Sequence, residues 1–166
     1  MKRRAFAVLA LLAALLGMAC AEPLCLVTED LAFLLGEDGG VLLEGVDDVF
    51  AVREGELYAA GRRGAYRLYD GNGALLCDTS FAMIDDRGDC LIYRVGSRYG
   101  AMDSEGNILL PAEWTQLTCD GAGGWLALDS DPLDQSPDAI LHVDRSGEAV
   151  QTAATTMGGL SRVLCD

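Results

Sequence analysis

The chain is short of the residue types on which most enzyme sites depend. Its 166 residues include one histidine, His142, and one lysine, Lys2, and none of its six cysteines stands in a Cys-x-x-Cys pair. A Ser-His-Asp relay or a histidine-based metal centre therefore lacks its parts. No stretch beyond residue 21 repeats apolar residues at a 3.6-residue period, so helices should be few. Basic charge is scarce as well. Past residue 21, nine arginines face 26 Asp and Glu, a net charge of −17. That balance repels nucleic acid and anionic lipid and favours solubility.

The first 21 residues differ from the rest. Lys2-Arg3-Arg4 precede an uncharged stretch of 14 residues, Ala5 to Met18, and then Ala19-Cys20-Ala21 before Glu22-Pro23. A basic start, a short apolar core and a small-residue cleavage site are the marks of a secretory signal peptide, too short for a stable membrane span. Cleavage after Ala21 would leave residues 22–166 as a secreted or extracytoplasmic domain with no transmembrane span. Cys20 offers an alternative, a lipid-anchored envelope protein cut after Ala19. Gly17 stands where a lipoprotein site carries leucine.

After the leader, a turn-and-strand pattern recurs about every 33 residues. Tyr99-Gly100-Ala101-Met102-Asp103-Ser104-Glu105-Gly106 leads into Ile108-Leu109-Leu110-Pro111 and ends at Trp114. An earlier copy has Tyr66, Asp70, Gly73, Leu75 and Phe81 in the same register, with fainter copies around Gly39 and around Asp144 and Gly147. The glycines Gly39, Gly73, Gly106 and Gly147 form one series, and Gly55, Gly88 and Gly121 a second. Two in-phase series imply two turns per unit, as in a tandem array of β-hairpins. Four units follow, approximately 25–56, 57–89, 90–124 and 125–166. Gly73 and Gly106 should have positive φ, whereas Gly123, outside both series, should matter less.

The copy at 99–114 resembles the WG repeat of bacterial proteins: a Trp-Gly pair, an acidic turn, a glycine, a short apolar strand, a proline and an aromatic. Tyr99-Gly100 stand for Trp-Gly, Asp103 and Gly106 for the turn, Pro111 for the proline and Trp114 for the aromatic. The copy at 66–81 has Arg67 for the glycine and Asp78 for the proline. The resemblance covers most of the chain after residue 25 and implies a β-rich repeat module, extracytoplasmic or interaction-related, with no catalytic residues of its own. The expected fold is thus an all-β hairpin array, a curved solenoid or propeller-like arc, behind a signal helix.

Candidate sites are few. His142 falls in a column with Leu34, Leu68 and Ala101, which reads as packing. The pairs Asp47-Asp48 and Asp85-Asp86 could serve a small secreted hydrolase as glycosidase carboxylates, but they sit at turns or strand ends. Asp70 and Asp103 open tight turns, where aspartate caps backbone amides. The polar loop with Asp129, Asp131, Asp134 and Asp138 is the better calcium candidate. Tyr66, Tyr99, Phe81 and Trp114 recur at repeat positions and read as core. No cofactor is expected. Once Cys20 is removed, Cys25, Cys77, Cys90, Cys119 and Cys165 are an odd set. Cys25 and Cys165 would close the longest loop, and Cys77 and Cys90 are expected on neighbouring strands. These readings favour a non-catalytic binding or scaffold module that presents an acidic surface to a protein or cell-wall partner.

Overall fold

A computed structural model describes residues 22–28, 31–129 and 138–155. The signal segment with Cys20, the loop residues Asp131 and Asp134, and Cys165 lie outside the described residues. Among the described residues the chain is all β, with fifteen strands in four open antiparallel sheets and no helix.

Each sheet is a meander in which a strand bonds only to its neighbours in sequence. The first sheet holds β1 (Leu24–Val27), β2 (Ala32–Leu35) and β3 (Val41–Val46). The second holds β4 (Asp48–Arg53), β5 (Leu57–Arg62), β6 (Ala65–Asp70) and β7 (Leu75–Phe81). The third holds β8 (Met83–Asp86), β9 (Leu91–Val95), β10 (Arg98–Met102) and β11 (Ile108–Trp114). The fourth holds β12 (Gln116–Cys119), β13 (Trp125–Asp129), β14 (Asp138–Val143) and β15 (Ala149–Thr155). The repeating element is thus a sheet, three-stranded in the first copy and four-stranded in the other three, rather than a lone hairpin, which suits physics: an isolated hairpin is marginal in water.

Both glycine series hold the turns. Gly55, Gly88 and Gly121 join the first and second strands of their sheets at φ of 75°, 83° and 76°. Gly39, Gly73, Gly106 and Gly147 lie before the last strand at 76°, 79°, 85° and 83°. Side chains rarely adopt this left-handed region, so the phase of the glycines fixes the phase of the strands. Gly123 departs from expectation. Its φ is +96°, and an added Cβ would lie 3.1 Å from Arg145 Nε. The expected contrast between Gly123 and the repeat glycines therefore has no structural basis.

Aspartate closes the same turns. Asp70 Oδ1 accepts from the N–H groups of Asn72 and Ala74 at 2.9 and 2.7 Å, and Asp103 Oδ1 from those of Glu105 and Asn107 at 2.9 and 2.8 Å. Asp144 Oδ1 likewise accepts from Ser146 and Glu148 at 2.8 and 3.0 Å. The residue between consecutive sheets is also equivalent. The N–H groups of Asp47, Ala82 and Thr115 donate to the carbonyls of Gly61, Arg94 and Leu128 at 3.0, 2.7 and 2.8 Å.

Pro111 lies on β11, whose one bonded neighbour is β10. Proline is tolerated on an edge strand because its missing N–H deprives no neighbour. The strand bulges there. Tyr99 pairs with Trp114 and Ala101 with Leu110, so Gly100 alone faces Pro111, Ala112 and Glu113. Tyr93 Oη donates to the Leu110 carbonyl at 3.0 Å and Arg98 Nη1 to the Glu113 carbonyl at 2.9 Å, which satisfies acceptors near the bulge.

The chain divides into two compact units, residues 1–78 and 79–166. In the first, Ala32 and Leu34 of the first sheet pack against Val49, Tyr58 and Ala60 of the second. In the second, Ile92, Ala101 and Leu110 of the third sheet pack against Leu117, Trp125, Ala127 and Val143 of the fourth. These are matching positions of the repeat. Both cores form where the faces of two successive sheets meet, as apolar burial requires.

Candidate functional site: two equivalent turn clefts

Each unit has a cleft at the matching place, between the turns of its two sheets. In the first unit it encloses about 640 Å³ and is bordered by the Gly36–Asp38 turn, Gly55-Glu56 and Asp70-Gly71-Asn72. In the second it encloses about 320 Å³ and is bordered by Asp103, by Gly121, Gly123 and Gly124, and by Arg145. Pro23 and Leu42 of one wall stand 67 residues before Cys90 and Leu109 of the other.

The two clefts differ in charge. Glu37, Asp38, Glu56 and Asp70 line the first, with no basic side chain among its lining residues. Glu37, Asp38 and Glu56 are exposed. The second balances Asp89 and Asp103 with Arg87 and Arg145. Trp125 is 3 % exposed at its floor, and its indole Nε1 is buried without a partner.

Three turn carboxylates, Asp103, Asp120 and Asp144, are held below the usual carboxylate range. Burial pushes the Asp103 pKa upward, but the Asn107 amide and the N–H groups of Asn107, Glu105 and Gly106 outweigh it and hold it below the usual value. Asp144 is lowered chiefly by the Ser146 hydroxyl. Asp120 falls to about 2 because the Ala122 N–H and the His142 ring bond its charged form. His142 Nε2 lies 2.7 Å from Asp120 Oδ2, and the His142 side chain is 39 % exposed. His142 occupies its expected column on β14, but its ring bonds Asp120 rather than filling the core as Leu34 and Ala101 do.

The other candidates are scattered. Asp85 and Asp86 are consecutive on β8, so their side chains leave opposite faces of the sheet and cannot face one substrate atom together. Asp85 pairs with Arg87 at 2.6 Å, and Asp86 Oδ1 accepts from Gly88 N–H. Asp48 Oδ2 accepts from the Tyr66 hydroxyl at 2.9 Å. Of the calcium candidates, Asp129 pairs with Arg98 at 2.6 Å and Asp138 begins β14. Tyr66 and Phe81 are buried, while Tyr99 and Trp114 pack half-buried against the core of the second unit. No group of three or more metal-ligating side chains occurs among the described residues.

Two pairings escaped sequence reasoning: Asp120 with His142, and Cys90 with Cys119, whose sulfurs lie 2.9 Å apart. Cys77 and Cys90, expected on neighbouring strands, belong to different sheets: Cys77 is on β7, and Cys90 precedes β9. A signal for the cysteine pair was present. Cys90 follows Gly88 by two residues and Cys119 precedes Gly121 by two, so both flank the same turn in successive sheets.

No protein-family model matches the chain, and no curated protein matches it. Among the described residues no helix is long and apolar enough to cross a membrane.

Proposed function

We propose that this chain is a non-catalytic, extracytoplasmic binding module of the WG-repeat type, exported by residues 1–21 and directed at a cationic protein or cell-wall component. The observation that carries this reading is the first unit's cleft, lined by four carboxylates and no basic residue, with Arg53 paired to one of them, Glu56, at 3.4 Å. Such a concave acidic surface concentrates cations and speeds encounter with a basic partner. The repeated turns support it. Their aspartates spend one oxygen on backbone amides, a scaffold for display rather than a set of convergent reacting groups.

The hydrolase alternative draws no support from Asp85-Asp86, whose side chains diverge. The lipid-anchored alternative differs only in the processing of Cys20, and a diacylated Cys20 in the mass spectrum of the exported protein would establish it.

Residues 22–166, used to capture partners from secreted and cell-wall fractions, test the reading. Capture should weaken as salt rises from low to physiological, since exposed charges are screened beyond about 10 Å at 0.1 M. The double substitution Glu37→Gln, Glu56→Gln should reduce it several-fold. Capture indifferent to both salt and these substitutions would overturn the acidic-cleft reading.

A further inference from the structure

The cysteine pair of the second unit is not asked for by the repeat. Two residues after the first-turn glycine stand Leu57, Cys90 and Gly123 in successive sheets, and two residues before it stand Arg53, Asp86 and Cys119. Cys90 is 5 % exposed just ahead of β9, and Cys119 ends β12 half-buried. The matching positions of the other sheets carry no sulfur, yet here the two Sγ atoms stand 2.9 Å apart across the third and fourth sheets. A closer approach of about 0.9 Å would bring them to bonding distance.

We propose that Cys90 and Cys119 form a disulfide that staples the third and fourth sheets together at the mouth of the second unit's cleft. The oxidant is a small-molecule disulfide of the oxidised-glutathione class, and the reaction is ordinary thiol exchange. One cysteine thiolate attacks a sulfur of the small disulfide and expels its first thiol. The second cysteine then loses its proton and displaces the other thiol from the mixed disulfide. Two protein thiols and one small disulfide thus become one protein disulfide and two small thiols. The small disulfide takes up the two electrons, and the two protons leave on its thiols.

The cleft provides the route, because both cysteines line it. Burial and the neighbouring Cys90 sulfur push the Cys119 thiol up to about 12. Cys119 is therefore a poor nucleophile at neutral pH, and closure through it should be slow without an exchange catalyst. Once formed, the bond encloses β9, β10, β11 and β12 in one loop. It should raise the melting temperature on the order of 5–10 °C.

The test uses residues 22–166 equilibrated in oxidising and reducing glutathione buffers, blocked with iodoacetamide and digested with trypsin without reduction. Cleavage at Arg87, Arg94, Arg98 and Arg145 isolates Cys90 in peptide 88–94 and Cys119 in peptide 99–145. The expected result is one joined species of these two peptides after oxidation, converted to two alkylated peptides by prior reduction. Recovery of both peptides alkylated from the oxidising buffer, or of Cys90 joined to a different cysteine, would overturn the proposal. Cys90→Ser and Cys119→Ser should each abolish the difference in melting temperature between oxidised and reduced protein, while Cys77→Ser keeps it. If a serine variant does not fold, the peptide map of the unaltered chain decides alone.

Discussion

Where Gly100 faces Tyr93 across β9 and β10 in the second unit, the first unit has Arg67 facing Ala60 across β5 and β6. The fourth sheet shows the same exchange, with Leu141 opposite Ala127. A Cβ on Gly100 would lie 2.5 Å from Tyr93 Cζ and 2.6 Å from the Leu110 carbonyl oxygen. The glycine of the Tyr-Gly pair is therefore conditional. It is needed where the cross-strand partner is a buried tyrosine and dispensable where the partner is alanine. The clefts teach the same lesson at larger scale. One backbone plan carries an acidic cleft in the first unit, and a charge-balanced cleft with two thiols in the second.

Substitution at Gly100 is the harshest way to break this comparison. Gly100→Ala should cost about 2–3 kcal/mol, because a buried ring and a backbone oxygen must both move. Arg67→Ala, at the matching but exposed position, should stay within about 0.5 kcal/mol. Urea midpoints of the two variants measure this difference directly. Gly100→Ala combined with Tyr93→Ala should cost less than the two separate losses added together, since the second change removes the clash.

The turn glycines come next. Gly106→Ala should cost on the order of 1 kcal/mol from its left-handed backbone alone. Gly73→Ala should cost somewhat more, since the new Cβ would lie 3.0 Å from Leu42 Cβ. Gly123→Ala should rank with them. Equal and negligible midpoint shifts for all three would contradict the turn assignment.

Asp120 gives a pH signature of similar or smaller size. Its pKa in the folded chain, about 2, lies below the ordinary carboxylate value near 3.9, so its contribution is present above pH 4. That contribution fades as pH falls toward 2. Asp120→Asn should therefore cost about 1–2 kcal/mol at pH 7 and progressively less below pH 4. Thermal melts of both proteins across that range would check the sign. The smallest effect belongs to the exposed Arg67–Asp78 pair at 3.4 Å. Asp78→Ala should shift stability by less than about 0.5 kcal/mol.

How much of this was legible in the sequence follows from what repeats. The glycine phase and the Asp turns were readable because backbone conformation restricts residue choice at those positions. The buried runs of β5 and β9 were readable as strands from their apolar, aromatic-rich composition. The first strands β4, β8 and β12 were not identified, since β8 and β12 are four residues long and half polar. β7 and β11 are seven residues long, longer than the short apolar strand of the repeat pattern, because each continues past Asp78 or Pro111. The site was harder to read. Cys90 and Cys119 stand 29 residues apart and meet only through the packing of two sheets. Asp120 and His142 meet through the β12–β13 turn and β14, a pairing that no local pattern announces.

The proposed function requires that the first unit's acidic cleft, rather than its charge-balanced counterpart, receives a cationic partner. Amide chemical shifts of isotopically labelled residues 22–166, titrated with a short arginine-rich peptide, test it most directly. Shifts should concentrate at Gly36–Asp38, Gly55-Glu56 and Asp70–Asn72 and shrink as salt is added. Shifts centred on Arg87, Gly121–Gly124 and Arg145, or none at low salt, would contradict it.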